Sequence, residues 1–394
     1  MGARRTVGLC WAALTLEGYD IVVFGAAVPF LLRYEPWGLD QRAVGLVGSV
    51  ALLGMLVGAL VSGVAADRRG RRSALVGGVL LVGGGMLLCA AASTSILFAV
   101  GRLLVGLGAG AMLPAASALL AESAPPGRRN LYQGLAFGGI GAGGLLSALA
   151  ALALADSGSF RILFLLGALP SGVLIPALMR WLPDTALWAG TPTRPAQRTS
   201  WRQLLAADHA AQSVLFWVTT FLSLLVLFGA YTWLPVLMER SGYTLGSSLM
   251  FLLVLNAGVV VGSIAAPWAA DRLGSRTMIF VAFAAAATAF ALLAQRPIAV
   301  VAYILVAVLG AGAVNAQFLV NALIGASYPT ALRATAVGAA LGLGRCGGVV
   351  GPVYGSWLLA DGAAVAAGFY GFAVPAVLAG LFSLALPTGR RTGT

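Results

Sequence analysis

The chain has 394 residues, of which 60% are hydrophobic and only 9% charged, with a mean hydropathy of +0.96. Soluble domains carry about a quarter charged residues, so composition excludes a soluble globular fold and predicts an all-α membrane protein. The net charge of +12 comes from 24 arginines with no lysine, against 12 acidic residues. Cys10, Cys89 and Cys346 lie in separate apolar stretches, which excludes a disulfide framework or a cysteine metal site; they read as small core residues.

Twelve apolar stretches follow one another at about 7–32, 43–66, 74–92, 96–121, 131–154, 160–182, 213–238, 247–270, 277–294, 298–325, 335–360 and 364–387. Each is of the order of the ~20 residues that a helix needs to cross a bilayer core. The first is too long for a cleaved signal peptide and is interrupted by Glu17 and Asp20. Those two carboxylates stand three residues apart, on one face of a helix. A charge at the centre of a bilayer costs about 2.5 to more than 10 kcal/mol depending on the method, so neither belongs against lipid.

Between the second and third stretches the chain turns within a few residues, GVAADRRGRR, where Gly70 permits the turn and Asp67 stands beside Arg68, Arg71 and Arg72. The segment recurs as PWAADRLGSR, so Asp67 corresponds to Asp271 at an offset of 204 residues. The same offset relates Pro125 to Pro329, Arg129 to Arg333, Gly134 to Gly338, Gly138 to Gly342 and Gly144 to Gly348. Two parallel copies of a six-helix half are expected: 1–182, a central loop at 183–212, and 213–394. That arrangement predicts a substrate site between the halves near the midplane. In the central loop, TPTRPAQRTS reads as linker. WRQLLAADHAAQ reads as a short interfacial helix, with the only histidine, His209, in a solvated or structural role.

With both termini inside, seventeen arginines fall on the inner side and five on the outer, while Arg102 and Arg345 fall within spans. This is the positive-inside asymmetry, so the charge orients the chain in a membrane and calls for no nucleic acid. Arg345 lies near the middle of the eleventh span, suited to a carboxylate ligand through two hydrogen bonds. Arg102, in the fourth, can do the same or hold the Glu17/Asp20 pair. Asn256, Asn315, Gln317 and Asn321 are in-span amides, suited either to lining a site or to joining helices. Tyr19, Trp233, Tyr354 and Trp357 can stack on an aromatic ring, although Trp233 and Trp357 also fit an interfacial belt. By the internal symmetry, Asp67 is expected to pair with Arg333 and Asp271 with Arg129, with Arg272 beside them and Glu122 joining Arg71 or Arg72, as a gate on the inner side. No metal-spaced cluster, nucleophile motif or nucleotide loop is found, so an enzyme is not expected.

The repeated GxxADRxGRR loop resembles the signature of the major facilitator superfamily. LEGYD at 16–20, GRLLVGLGAGAMLPAASALLAE at 101–122 and the YPT-x-x-R-A-T and G-x-G-R motifs within 321–352 resemble the aromatic acid:H+ symporters of that superfamily. The resemblance covers nearly the whole chain. It implies proton-coupled uptake of a small aromatic carboxylate, with Asp20 and Glu17 coupling the proton, no other cofactor, and a monomer in the bacterial inner membrane. Glu17 stands where that family has Asp, LPDTALWAG departs from its motif after the sixth span, and two loops are short. A proton-driven exporter of a drug or host metabolite is the alternative on the same fold, although the fifth span lacks the Gly-Pro pair of such exporters.

Overall fold

In the computed structural model the described residues are 2–123, 125, 129–157, 159–182, 201–206, 208–360 and 364–387. Among them, twelve helices are long and apolar enough to cross a membrane. They are α1 Gly2–Leu32, α2 Gln41–Arg69, α3 Arg71–Ala91, α4 Ser95–Ser123, α5 Arg129–Ala153, α6 Phe160–Trp181, α7 Ala210–Arg240, α8 Leu245–Leu273, α9 Ser275–Leu293, α10 Ala299–Ser327, α11 Thr330–Leu358 and α12 Val365–Leu384. Each overlaps one of the expected stretches. The chain divides into two compact units, Met1–Thr191 with Thr244–Leu253, and Pro192–Tyr243 with Val254–Thr394.

The helices pack through glycine. In the first unit, a Cβ on Gly54 or Gly58 of α2 would collide with the Leu103 or Leu107 carbonyl of α4, and one on Gly106 would collide with that of Ala51. In the second unit, Gly258 of α8 meets the Ala307 carbonyl, Gly262 meets Ala311, and Gly310 of α10 meets Leu255. Every one of these contacts recurs 204 residues on. Lipid offers no hydrophobic drive for helices to associate, so close backbone approach at small residues is what holds them.

The repeat extends to the turns. A single residue joins α2 to α3 and α8 to α9, and these residues, Gly70 and Gly274, have φ of 86° and 90°. A side chain in the left-handed region costs roughly 1–2 kcal/mol, which explains glycine at both.

Two expectations are corrected. The short helix expected over WRQLLAADHAAQ is a 3-10 helix confined to Trp201–Leu205, and α7 starts just after His209. Leu204 is fully buried with Phe216, Tyr328 and Leu332, and the Ser213 hydroxyl donates to the Leu204 carbonyl at 2.8 Å, folding the segment back on α7. His209 rests its ring 5.7 Å from that of Tyr328. Cys10 and Cys89 are buried as expected, but Cys346 is exposed. α11 packs Gly344 and Gly347 against Thr220 and Phe221 of α7, which turns Cys346 to the opposite side.

Candidate functional site

In the first unit, the sequence Glu17-Gly18-Tyr19-Asp20 sends successive residues to different neighbours. Gly18 lies so close to α5 that a Cβ would collide with the Ile140 carbonyl, and Gly143 meets Thr15 in the same way. Tyr19 fills the space beside Gly167 and Met86, and its hydroxyl donates to the Leu163 carbonyl of α6 at 2.8 Å. With α1 so fixed in rotation, Asp20 faces α4, where its Oδ1 accepts a hydrogen bond from Nη1 of Arg102. Asp20 is 6% exposed and Arg102 3%, so the pair is withdrawn from solvent.

The guanidinium is also held over apolar faces, its carbon 4.9 Å from the Phe24 ring centre and 5.7 Å from that of Phe164. Such cation–π contacts reach about 2 kcal/mol when desolvated. Arg102 Nε has no hydrogen-bond partner among the described residues. Glu17, 1% exposed, lies one turn from Asp20 on the strip of α1 between its α4-facing and α5-facing sides. Arg102 holds Asp20 through Nη1.

At the loop end of the same unit, Nε of Arg71 meets Oε1 of Glu122 at 2.7 Å, with both side chains partly exposed. The side chains of Asp67, Arg68 and Arg129 lie outside the described ones, and with them both expected pairings, Asp67–Arg333 and Asp271–Arg129. Arg72 is half-buried, and Asp271, Arg272 and Arg333 are exposed. The Arg272 guanidinium lies 3.8 Å over the ring of Trp268, one turn back on α8.

The second unit holds the amides and Arg345, which is half-buried on α11. Asn315 donates to the Val259 carbonyl of α8 at 3.2 Å and to Ala311 at 3.0 Å, so it joins two helices. Gln317 donates to Oδ1 of Asn321 at 2.9 Å along α10. Asn256 accepts from the hydroxyl of Tyr231 at 3.2 Å. Trp233 is fully buried, packed against Gly355, and donates its indole N–H to the Pro352 carbonyl at 2.8 Å. The Tyr354 hydroxyl donates to the Gly371 carbonyl at 2.8 Å and its ring stands edge-on to Phe372. Tyr19, Trp233 and Tyr354 thus tie helices together within their own units, while Trp357 is exposed, as a belt residue would be.

Two features were missed in the sequence. Tyr231 is a buried in-span phenol whose signal was only a tyrosine in an apolar run. Arg161 donates to the Ala90 carbonyl at 3.0 Å and to the Tyr34 hydroxyl at 3.3 Å, and sits among the rings of Tyr34, Trp37 and Phe160. It fastens the α1–α2 loop to α3 and α6; the aromatic spacing of YEPW was its signal. Outside the spans, burial pushes the Tyr328 phenol above its usual pKa, partly offset by its hydrogen bond with Ser213 at 2.7 Å. No group of three or more His, Cys, Asp or Glu residues among the described ones could hold a metal ion.

The sequence profile of the Major Facilitator Superfamily matches residues 10–352. The chain is 34% identical over 377 residues to a gentisate transporter of Corynebacterium glutamicum, covering 94% of this chain and 84% of that one. It is 28% identical to a benzoate transport protein of Acinetobacter baylyi, over 98% and 90% of the two chains. With a 4-hydroxybenzoate transporter of Pseudomonas putida it shares 31% identity, over 91% and 86%. The crystal structure of a D-xylose-proton symporter superposes with a TM-score of 0.79 at 20% identity, covering 99% of each chain, which identifies the fold. The chain is an integral membrane protein that belongs to the Major Facilitator Superfamily, a superfamily of transporters rather than enzymes, and within it to the aromatic acid:H+ symporter family.

Proposed function

We propose that this protein is a secondary active transporter that takes up a small aromatic carboxylate together with protons by alternating access. The observation that carries the reading is the Arg102–Asp20 ion pair, buried within the first unit with Glu17 one turn away. Proton uptake at Asp20 removes the charge that Arg102 holds and frees the guanidinium, so occupation by a proton is felt at a second helix. Glu17, one turn away on the same helix, is assigned to the same coupling step.

Arg345 is assigned to the substrate carboxylate, because its fork of donors matches that group and keeps its charge at any physiological pH. The gentisate, benzoate and 4-hydroxybenzoate transporters among the relatives support an aromatic acid as the cargo. An anion entering against an inside-negative potential needs a co-transported cation, and the proton supplies it; no other cofactor is invoked. The protein acts as a monomer in the bacterial inner membrane with both termini cytoplasmic, in line with its arginine asymmetry. Arg71–Glu122 and the AADR loops serve as the inner gate.

Proteoliposomes with an imposed inward proton gradient should accumulate labelled benzoate or a hydroxybenzoate, and a protonophore should abolish the accumulation. A lack of accumulation across such acids, with efflux of a drug instead, would overturn the reading in favour of an exporter.

A further inference from the structure

The amides of α10 are not equivalent. The contact with α8 passes around α10 from Gly310 through Ala311 to Asn315. Ala316, Val320 and Leu323 lie in the hydrophobic core of the second unit with Phe216 and Phe283. Gln317 and Asn321 are in neither set. They follow Gly310 by two and three turns along one strip, which the α8 contact leaves as it winds toward Asn315.

Gln317 is only 5% exposed, and its single hydrogen bond, Nε2 to Asn321 Oδ1, leaves Oε1 buried without a partner among the described residues. The oxygen and nitrogen of an amide exchange by a half-turn. Turning both side chains over would keep the bond and orphan the Gln317 nitrogen instead. In either arrangement one buried polar atom is left over. Leaving such a group unmade costs about 1–3 kcal/mol, and native proteins keep few of them without a use.

A hydroxyl both donates and accepts, so it satisfies Gln317 whichever way the amide is turned. A carboxylate only accepts, so it satisfies Gln317 in just one of the two arrangements, the one that leaves the nitrogen over. Resting on the reading above, in which Arg345 takes the carboxylate, we infer that the cargo carries a ring hydroxyl and that Gln317 is the residue that reads it. Benzoate without a hydroxyl would enter the same site but leave the amide unpaired. Sites built to bond a hydroxyl discriminate far more strongly than apolar pockets that merely fit one.

The test is uptake into proteoliposomes under an inward proton gradient, with labelled benzoate, 3-hydroxybenzoate, 4-hydroxybenzoate and 2,5-dihydroxybenzoate. The full-length chain should take up at least one hydroxylated acid with kcat/KM at least about tenfold above benzoate. Gln317→Met, which keeps the length but removes both polar atoms, should erase that margin and leave benzoate uptake within about twofold, a scale well below the discrimination expected of a hydroxyl-bonding site. Benzoate uptake by the variant also reports that it inserts and folds. If Gln317→Met fails to insert, Gln317→Asn keeps an amide but draws it back by one methylene, and should narrow the margin in the same way. Equal losses for benzoate and the hydroxylated acids, or no preference in the parent chain, would overturn the assignment. Failure of the parent chain to move any of the four acids would instead overturn the aromatic-acid reading, and this inference with it.

Discussion

Asp20 of α1 and Arg102 of α4 form an ion pair shielded by Phe24 and Phe164, and neither residue has a charged counterpart 204 positions on, where Leu224 and Val306 stand. Removing one member of a buried pair costs about 3–5 kcal/mol, because the other is left charged and unpaired; removing both costs much less. Asp20→Ala and Arg102→Ala should therefore each lower the thermal midpoint in detergent by more than the double variant does. Additive losses would show that the pair is not coupled.

Asp20→Asn keeps a hydrogen-bond acceptor for Arg102 but cannot take up a proton. The expected result is loss of gradient-driven accumulation while exchange of labelled for unlabelled substrate across the membrane persists. Unchanged accumulation would remove Asp20 from the coupling step.

Arg345→Lys retains the charge but gives up the planar fork of donors. Binding of an aromatic carboxylate should weaken by roughly ten- to a hundredfold, since one lost charged hydrogen bond is worth about 1.5–3 kcal/mol, while a neutral amide analogue should bind as before. Isothermal titration with both ligands distinguishes this from a structural arginine, whose loss would affect both alike.

Gly18 and Gly8 lie on the same helix in opposite situations: a Cβ at Gly18 meets the Ile140 carbonyl, whereas one at Gly8 meets nothing within 4 Å. Gly18→Ala should destabilise by about 1–3 kcal/mol, the usual cost of overpacking, and should disturb the Arg102–Asp20 contact through the rotation of α1. Gly8→Ala should be neutral or slightly favourable by helix propensity. Thermal unfolding of the two variants side by side checks the contrast.

Arg71 and Glu122 are partly exposed, so their ion pair contributes at most about 1 kcal/mol to stability. Any larger effect of breaking it should appear in the rate of turnover. Glu122→Arg should slow transport without moving the thermal midpoint appreciably, and adding Arg71→Glu should recover part of the rate.

The twelve spans and the twofold repeat were legible because a bilayer imposes length and hydropathy on each helix separately. Which in-span polar residue meets which was much less so. Glu17 and Asp20 are indistinguishable by hydropathy, and the contact of Asp20 with Arg102 depends on the rotation of α1, set by Gly18 against α5 and Tyr19 against α6. Asn315 and Gln317 look alike in sequence, yet one bonds to a neighbouring backbone and the other keeps a vacant polar atom. Trp233 and Tyr354 had the composition of ligand-stacking residues, but their polar tips are held by the Pro352 and Gly371 carbonyls. The confinement of the short helix to Trp201–Leu205 was missed because its cause, the Ser213–Leu204 bond and the burial of Leu204, is tertiary.

The contacts of Gly54, Gly58 and Gly106 between α2 and α4 return in α8 with α10 at a constant 204 residues, down to the carbonyl that each glycine meets. The polar residues of the spans do not: the positions of Glu17, Asp20 and Arg102 correspond to Phe221, Leu224 and Val306, and Arg345 corresponds to Gly141. The framework is thus twofold and the chemistry is not. The two halves share their helix seams but not their charge: the first sets Asp20 and Arg102 where the second has Leu224 and Val306, and the second sets Arg345 where the first has Gly141.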